Sequence, residues 1–409
     1  FAAGRLIAIA SIDPEIGGDD AITARDGSST ILGGAGSDAI TLGSGTQVVL
    51  GDSGSATFES GQIATVTSIA TDIGGADTIQ ADDGDATIIG GAGADRITVG
   101  TGNHVILGDN GQATFVAGRL SAIASIDPEI GGDDAITARD GSSTILGGAG
   151  SDTITLGSGT QVVLGDSGSA TFENGQITTV TSIATDIGGA DTIQADDGDA
   201  TIIGGAGADR ITVGTGNHVI LGDNGQATFV AGRLSAIASI DPEIGGDDAI
   251  TARDGSSTIL GGAGSDAITL GSGTQVVLGD SGSATFENGL IATVTSIATD
   301  IGGADTIQAD DGDATIIGGA GADRITVGTG NHVILGDNGQ ATFVAGRLTA
   351  IASIDPEIGG DDAITARDGS STILGGAGSD AITLGSGTQV VLGDSGSATF
   401  ESGQIATVT

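Results

Sequence analysis

The sequence predicts an all-β protein built as a parallel β-solenoid, and three observations lead to that fold class. The eight phenylalanines recur at one constant spacing, as at Phe1, Phe58 and Phe115, and open successive copies of one 57-residue repeat. Inside each repeat, aliphatic residues return at every ninth position, as at Ile22 and Ile31. Glycine-rich stretches such as 33–38 separate them. Such short, glycine-broken strands favour a coil with two nonapeptides per turn over a meander of two-residue hairpins.

The 57-residue repeat also predicts how the chain is organised. Its copies alternate between two variants, so a full period is a 114-residue pair of repeats. The steps of nine predict two 18-residue coils, and the stretch from Phe58 to Ile79 predicts a third, 21-residue coil. This third coil begins with a tight turn at 59–62 and continues as a longer strand over 63–69. We expect one continuous array, part of a longer protein, with repeats 1–57, 58–114, 115–171, 172–228, 229–285, 286–342, 343–399 and a partial copy 400–409.

Composition excludes several classes of function. The formal net charge of −42 argues against binding to nucleic acid, whose phosphates require a basic surface. Acidic side chains at this density repel one another, so the charge predicts a bound cation. The chain has no cysteine, which excludes disulfides and thiolate metal sites. It also has no apolar run of the length that a membrane-spanning helix requires, so we expect no membrane span.

The strongest motif is the nonapeptide G-G-A-G-S-D-A-I-T at 33–41, with a counterpart at 90–98. Both fit the pattern G-G-x-G-x-D-x-U-x, in which U is aliphatic, and the full pattern occurs once in each of seven repeats. In this respect the chain resembles the RTX calcium-binding repeats of large bacterial surface or secreted proteins. The resemblance implies a right-handed parallel β-roll with Ca²⁺ held between successive turns. In that arrangement the sixth-position Asp supplies a carboxylate and the glycine-rich turn supplies backbone carbonyls.

The candidate calcium ligands follow from the coil. Ca²⁺ takes six to eight oxygen ligands and tolerates irregular geometry. Asp20 and Asp38 lie one 18-residue circuit apart, so they stack on the same edge, and further pairs follow. The candidate carboxylates are Asp20, Asp38, Asp77, Asp95, Asp134, Asp152, Asp191, Asp209, Asp248, Asp266, Asp305, Asp323, Asp362 and Asp380. The candidate glycines of the motif are Gly33, Gly36, Gly90 and Gly93, and weaker carboxylate candidates are Asp52 and Asp109.

The opposite edge departs from the pattern, because its sixth positions are Ser29, Gln47, Ala86 and His104. A regular calcium ladder is therefore not expected there. The acidic residues at 26 and 82–85 leave open a site of another geometry on this edge. The three histidines, at 104, 218 and 332, are interpreted as polar turn residues in place of Asp rather than as metal ligands or bases.

Alternation along the strands predicts the two outer walls of the coil. One wall presents small residues such as Ala39 and Thr41. The other would present Leu32, Val48 and Leu50, and in the next repeat an equivalent apolar set at 89, 105 and 107. Since soluble proteins rarely expose such a stripe, it predicts lateral self-association or a partner chain. The alternatives are bulges that turn these residues inward, or a covering segment.

These observations indicate a structural protein and not an enzyme, since no catalytic constellation is recognised in the sequence. The predicted function is a calcium-stabilised spacer, stalk or filament of an extracellular bacterial adhesin, fibre or surface layer. The alternative is an ice-binding or other surface-ligand-binding solenoid, because V-G-T-G-N at 99–103 resembles the T-G-N face of RTX-type antifreeze regions. Thr-Gly-Asn occurs only three times, however, where such a face requires it on nearly every circuit.

Overall fold

The computed structural model describes residues 5–69, 74–183, 188–297 and 302–409. Phe1, the first of the eight repeating phenylalanines, lies outside these residues. The described residues form strands and turns without any helix, and therefore include no helix able to cross a membrane. The chain divides into two compact bodies, residues 1–206 and 207–409, and each is described by itself.

The first body contains two parallel sheets and one antiparallel layer of hairpins. Sheet 1 consists of the strands Ala21–Ala24, Ala39–Leu42, Thr78–Ala81, Arg96–Val99, Ala135–Ala138, Thr153–Leu156 and Thr192–Ala195. Sheet 2 consists of Ser29–Leu32, Gln47–Leu50, Ala86–Ile89, Val105–Leu107, Thr144–Gly148, Gln161–Asp166 and Ala200–Ile203. The hairpin layer consists of Ala8–Ala10, Gly54–Glu59, Gln62–Ser68, Gly111–Val116, Arg119–Ser125, Gly168–Glu173 and Gln176–Ser182.

The second body has the same three layers. Its sheet 1 consists of Arg210–Val213, Ala249–Ala252, Ala267–Leu270, Thr306–Ala309, Arg324–Val327, Ala363–Ala366 and Ala381–Leu384. Its sheet 2 consists of Val219–Leu221, Thr258–Gly262, Gln275–Asp280, Ala314–Gly319, Val333–Asp337, Thr372–Gly376 and Val390–Asp394. Its hairpin layer consists of Gly225–Val230, Arg233–Ser239, Gly282–Glu287, Leu290–Ser296, Gly339–Val344, Arg347–Ser353, Ser397–Glu401 and Gln404–Val408.

The strands of sheets 1 and 2 stack in parallel register, which confirms the all-β, parallel β-solenoid fold. Ile22 pairs with Ile40 and Ile40 with Ile79 in sheet 1, while Ile31 pairs with Val49 in sheet 2. Aliphatic side chains of the two sheets point inward, and Ile40 and Ile79 are fully buried. The nine-residue periodicity of the sequence is therefore the core of the coil.

The prediction of three coils per repeat is wrong, because the register gives two. Neighbouring strands of sheet 1 are joined alternately by a short circuit, as from Ile22 to Ile40, and by a long one, as from Ile40 to Ile79. The 21-residue stretch is not a coil of its own. It belongs to a hairpin in which Gly54–Glu59 pairs antiparallel with Gln62–Ser68, so Phe58 lies in the hairpin and not in the solenoid core.

The hairpin tip is the tight turn that the sequence predicts. Glu59 pairs with Gln62 across the two residues Ser60 and Gly61, which have positive φ values of 53° and 83°. Two positive φ values in a two-residue loop match the right-handed twist of the flanking strands, so this turn closes a hairpin directly. Successive hairpins then pair with one another, as Ala113 does with Val66, and build the third sheet.

The hairpin layer overturns the prediction of an exposed apolar wall. Val48 and Leu50 are 5% and 1% exposed, and Ile89 and Leu107 are equally hidden. A hairpin follows every second strand of sheet 2, such as Gln47–Leu50, and lies over these side chains. Gly54 of this hairpin lies so close to Leu50 Cδ2 that a Cβ on it would collide. The chain covers this wall with its own segment, so the wall is not free for lateral self-association.

Candidate metal centre

The turns from sheet 2 into sheet 1 bring the predicted aspartates together, and we call this side of the coil the aspartate edge. Asp38, at the sixth position of its nonapeptide, directly precedes the strand Ala39–Leu42. Asp77 and Asp95 hold the same place before the next two strands of sheet 1. Their side chains are only 1–2% exposed. Parallel stacking of the strands therefore places one such carboxylate on each circuit, although Asp20, in the first circuit, is exposed.

Hydrogen bonds connect these carboxylates into a ladder. The backbone N–H of Asp38 donates to Asp77 Oδ1 at 2.7 Å, that of Asp77 donates to Asp95 Oδ1 at 2.7 Å, and that of Asp95 donates to Asp134 Oδ1 at 2.7 Å. Asp20 joins through its own N–H, which donates to Asp38 Oδ1 at 2.8 Å. The stacked pairs expected from the sequence are confirmed, and the long circuits join them into a continuous series.

The same arrangement recurs in the rest of each body. In the first body, Asp134 donates to Asp152 and Asp152 donates to Asp191, at 2.8 and 2.7 Å. In the second body, the N–H to Oδ1 bonds of the ladder join Asp209 to Asp248, Asp248 to Asp266, Asp266 to Asp305, Asp305 to Asp323, Asp323 to Asp362 and Asp362 to Asp380. Every sixth-position candidate aspartate therefore takes part in a ladder, Asp20 through its backbone N–H alone.

The second carboxylate oxygen, Oδ2, is buried without any hydrogen-bond partner among the described residues. This holds for Asp38, Asp77, Asp95, Asp134, Asp152, Asp248, Asp266, Asp305, Asp323, Asp362 and Asp380. A buried polar atom without a partner carries a free-energy cost of about 1–3 kcal/mol, and a charged one costs more. A regular series of such atoms fits a cation as their partner.

The glycines of the motif leave room next to these oxygens. A Cβ on Gly33 would collide with both Asp38 Oδ2 and the Gly51 carbonyl oxygen. A Cβ on Gly90 would collide with Asp95 Oδ2 and the Gly108 carbonyl oxygen. The two oxygens nearest to each such position are acceptors. A cation that prefers oxygen ligands fits this donor set, whereas a hydrogen-bond acceptor does not.

Gly36 and Gly93 have a different structural role in the same turns. Their φ values of 114° and 112° lie in the region that side chains rarely adopt. A Cβ on Gly36 would also meet the backbone of Gly18 at 2.7 Å, and one on Gly93 would meet the Gly75 carbonyl oxygen at 2.6 Å. These glycines therefore let neighbouring circuits approach closely, which brings the carboxylate and carbonyl oxygens of adjacent turns together.

The raised pKa values of the aspartate edge also favour a bound cation. Burial, together with the nearby carboxylate of Asp134, raises the pKa of Asp95 to about 10. Burial likewise raises the pKa of Asp77 to about 7 and that of Asp152 to about 8. The pKa of Asp134 is raised well above its usual range by burial and by its neighbours Asp109 and Asp152. A bound cation would remove this penalty.

Comparison with known protein families agrees with this geometry. The model of the RTX calcium-binding nonapeptide repeat (4 copies) matches more than half of the chain, at residues 16–46, 73–111, 130–160, 187–225, 244–274, 301–339 and 358–388. The chain belongs to the RTX calcium-binding repeat family. No curated protein matches it significantly. The cofactor of these repeats is Ca²⁺, which indicates a calcium-stabilised structural repeat region.

The aspartate edge of this RTX chain differs from a conventional cluster of metal-binding side chains. Among the described ranges, no group of three or more His, Cys, Asp or Glu side chains could hold a metal. The sixth-position carboxylates come one per circuit, and the oxygens near them include backbone carbonyls such as those of Gly51 and Gly108. Backbone carbonyls are ordinary Ca²⁺ ligands. The glycine-rich turn is therefore part of the candidate ligand set.

The weaker candidates, Asp52 and Asp109, have other partners in the structure. Asp52 Oδ2 accepts a hydrogen bond from the Ala92 N–H at 2.6 Å, whereas its Oδ1 is buried without a hydrogen-bond partner among the described residues. Asp109 Oδ2 accepts one from Ala149 N–H at 2.5 Å, and its Oδ1 accepts one from Gly132 N–H at 3.1 Å. Both aspartates follow a strand of sheet 2 and precede a hairpin. Their bonds reach turns that lie beyond the hairpin, so they fix the return of the chain after it.

The opposite edge lies at the turns from sheet 1 into sheet 2. Asp26 Oδ1 accepts the N–H of Ser44 at 3.0 Å, and Asp83 Oδ1 accepts that of Thr101 at 2.8 Å. These two aspartates are exposed, unlike those of the aspartate edge. The sixth-position residues Gln47 and His104 are buried instead, at 1% exposure each. The sequence identifies Gln47 and His104, but only the structure shows which atoms their side chains face.

Proposed function

We propose that this chain is a calcium-stabilised spacer, stalk or filament segment of an extracellular bacterial adhesin, fibre or surface layer. The observation that carries the proposal is the ladder of buried carboxylates in which Oδ2 of Asp38, of Asp95 and of the other members named above has no hydrogen-bond partner among the described residues. With its acidic edge neutralised by Ca²⁺, the coil becomes a continuous structural element. Nearly identical repeats add length to such an element without adding a new site.

We assign the calcium ligands to the Oδ2 atoms of the sixth-position aspartates and to carbonyl oxygens of the adjoining turns. Gly51 O near Asp38 and Gly108 O near Asp95 are the best-supported carbonyls, because each faces the same space as a carboxylate oxygen. Gly33 and Gly90 keep that space open. When bound, Ca²⁺ supplies charge neutralisation and cross-links successive turns.

Calcium also connects folding to location in this proposal. Since the ligand set exists only in the folded chain, the free energy of metal binding adds to the free energy of folding. The low calcium of a bacterial cytosol leaves a chain of net charge −42 without its counter-ions. Higher calcium outside the cell then drives folding after export. This reasoning supports an extracellular location.

The described histidines support a structural role rather than catalysis. The Nε2 atoms of His104 and His332 lie 3.0 and 3.1 Å from the carbonyl oxygens of Gly100 and Gly328. A carbonyl only accepts, so each Nε2 carries the proton, and burial lowers the pKa of both imidazoles. A base held in this way does not face solvent, which agrees with a protein that is not an enzyme.

The test is calcium-dependent folding of the full chain. Protein freed of metal is titrated with Ca²⁺, and β-sheet circular dichroism and bound calcium are measured together, with Mg²⁺ as the control cation. We expect the β signal to develop with calcium and not with equal Mg²⁺, since Mg²⁺ demands stricter octahedral geometry. A metal-free chain at neutral pH that already shows the full signal would overturn the proposal.

A second candidate, binding to ice or another regular surface, gains support from sheet 1. Its outer face carries a column of threonines in register, as Thr137 pairs with Thr98 and Thr155. Every fourth position of the column is a glutamine such as Gln80. Strand spacing of about 4.8 Å makes the hydroxyl array regular. The neighbouring column contains Arg96, which interrupts its flatness.

The ice-binding candidate is tested with variants of that column. Lysine at Thr98, Thr137 and Thr155 should abolish inhibition of ice recrystallisation if sheet 1 is the binding face. Lysine at Thr101, which lies in a turn of the opposite edge, is the control. Failure of the unmodified, calcium-loaded chain to inhibit recrystallisation would exclude this candidate and leave the structural proposal standing.

A further inference from the structure

The two edges of the coil differ at one position of the nonapeptide. The family match extends over turns of both edges, since residues 16–46 include Ser44 and Thr46 of the opposite edge as well as Asp38. Asp38 and Gln47 are one nonapeptide apart and occupy the sixth position on their respective edges. The family pattern implies calcium between turns, so the opposite edge must satisfy its backbone oxygens in some other way.

Gln47 shows how that edge is satisfied. Its Nε2 donates hydrogen bonds to the carbonyl oxygens of Gly27 at 2.9 Å and Gly43 at 3.0 Å. Gly27 lies in the preceding circuit and Gly43 in the same circuit, so one amide group ties two turns together. The side chain is 1% exposed. On the aspartate edge the corresponding atoms are all acceptors, whereas here an N–H donor lies between carbonyls.

The oxygen of such an amide continues the ladder, as Gln161 shows. Its Nε2 donates to Gly141 O at 2.9 Å and Gly157 O at 3.2 Å, and its Oε1 accepts the N–H of Ser143 at 3.0 Å. Ser143 precedes Gln161 by one short circuit and occupies the sixth position there. This bond is the counterpart of the N–H to Oδ1 bonds on the aspartate edge. Gln275 repeats all three contacts in the second body.

Histidine takes the same place in the alternate repeats. His104 is 1% exposed, and its Nε2 lies 3.0 Å from the carbonyl oxygen of Gly100, four positions earlier. Gln47 reaches the carbonyl of Gly43 across the same interval. Two residue types with different shapes therefore present an N–H to the equivalent carbonyl. The feature common to both residue types is a side-chain N–H donor.

We infer that side-chain N–H groups of the sixth-position glutamines and histidines take the place of calcium on the opposite edge. The residue at the sixth position then decides, circuit by circuit, whether an edge requires a cation. An aspartate leaves acceptors only and calls for calcium, while a glutamine or histidine places an N–H donor against the carbonyl oxygens that a cation would need. Ca²⁺ does not fit beside that N–H, because the donor already occupies those oxygens and cannot itself coordinate a cation.

The test exchanges the donor for an acceptor in the full chain. Four glutamines share this position, namely Gln47, Gln161, Gln275 and Gln389. One variant changes all four to aspartate and a second changes all four to asparagine, which has nearly the same shape as aspartate but keeps an amide. Bound calcium per chain is measured by elemental analysis, and resistance to urea is measured with and without calcium.

We expect the aspartate variant to bind additional calcium, up to one ion per substituted position, and the asparagine variant to bind none beyond that of the unmodified chain. Without calcium at neutral pH, the aspartate variant should unfold at lower urea than the asparagine variant, and calcium should reverse that order. Equal calcium content and equal urea midpoints for the two variants would overturn the inference.

The inference rests on the proposed calcium role of the aspartate edge, so a third variant separates the two. It changes Asp38, Asp152, Asp266 and Asp380 to asparagine. If this variant keeps all of its calcium, the assignment of the aspartate edge fails. If it loses calcium while the glutamine-to-aspartate variant gains none, the assignment of the aspartate edge stands and only the inference about the opposite edge is wrong.

Discussion

The carboxylate of Asp95 receives a 2.7 Å hydrogen bond from the Asp77 backbone on Oδ1 and nothing from the described protein on Oδ2. One oxygen thus serves the backbone ladder and the other remains for a ligand. This division of roles recurs on successive circuits. Because of this division, a substitution that removes the charge but keeps the shape should weaken calcium binding without breaking the backbone ladder.

The first prediction concerns charge at the aspartate edge. Replacing Asp152 by Asn keeps the Oδ1-type acceptor but removes the carboxylate, so the variant should bind calcium less tightly. In the absence of calcium it should be the more stable protein. Because burial raises the pKa of Asp152 from 3.8 to about 8, the metal-free benefit at pH 7 is about 4 kcal/mol at most. Urea denaturation with and without calcium measures both effects.

Asp140→Asn is the matched control for this substitution. Asp140 accepts the Ser158 N–H at 2.9 Å on the opposite edge and is exposed. We expect little change in stability and none in calcium content. Similar calcium loss from both variants would contradict the assignment of a dominant edge.

The second prediction is a pH dependence of the metal-free protein. The folded-state pKa values of Asp77, Asp95 and Asp152, about 7, 10 and 8, lie above the unfolded value of 3.8. Between these limits the folded state binds more protons than the unfolded state, so the free energy of unfolding falls as pH rises. We expect the metal-free fold to be most stable near or below about pH 4 and to weaken progressively toward about pH 10.

Calcium should reverse that trend, since the bound carboxylates must be deprotonated and binding releases protons. Calcium affinity should therefore increase over the same pH interval. Urea midpoints at several pH values, with proton release measured in weakly buffered calcium titrations, check both signs. A metal-free protein that gains stability from pH 4 to 8 would contradict the raised pKa values.

The third prediction concerns the space beside the carboxylate. Gly33→Ala places a Cβ against Asp38 Oδ2 and Gly51 O, so it should displace the proposed ligands and loosen the turn. Gly18→Ala is the control, because a Cβ there meets nothing within 4 Å. Hydrogen–deuterium exchange over 29–42 in excess calcium should rise at least tenfold, which is about 1.4 kcal/mol, only for Gly33→Ala. Equal protection in both variants would show that this space holds no ligand.

The fourth prediction concerns the covered wall. Leu164 is 1% exposed and contacts Gly168 of the following hairpin, so Leu164→Ala should cost about 2–5 kcal/mol. Val116 is 66% exposed at a hairpin tip, and Val116→Ala should change stability by no more than about 0.5 kcal/mol. Chemical denaturation in excess calcium measures both. If Leu164→Ala instead leaves stability intact and alters only association between chains, the wall is an interface after all.

The parallel core could be predicted from the sequence because its signal is local and repeated. Ile22, Ile31 and Ile40 recur at every ninth position, and two such steps bring the chain back to the same sheet, as the pairing of Ile22 with Ile40 shows. The stacking of the aspartates on one edge follows from the same nine-residue spacing. Periodicity of this kind fixes register, and register fixes which side chains meet.

The hairpin was missed although the sequence contains a signal for it. Asn174 and Gly175 form a two-residue turn with φ values of 53° and 80°, and such a dipeptide between alternating residues is a strong hairpin indicator. The strand before it, Gly168–Glu173, continues the nine-residue steps, which predict that it belongs to the coil. With the hairpin absent from the prediction, nothing was left to cover Leu50 and Leu107.

The donors on the opposite edge could not be found from residue types alone. Gln47 and His104 were recognised as departures from Asp, but their meaning depends on which atoms face the Gly43 and Gly100 carbonyls. Likewise, Asp52 is acidic and near the right edge, yet its Oδ2 accepts the Ala92 N–H. Hydrogen-bond direction is a property of the folded chain.

The alternation of short and long circuits limits how a gene for this protein can change in length. Ile40 pairs with Ile79 across a long circuit that includes a hairpin, and Ile79 pairs with Ile97 across a short circuit that has none. Deleting one short circuit would set two long circuits side by side and crowd their hairpins, whereas deleting one whole repeat returns each strand to an equivalent neighbour. Recombination between repeats is therefore tolerated only in whole steps, and each product inherits a complete set of aspartate turns together with the hairpins that cover its outer wall.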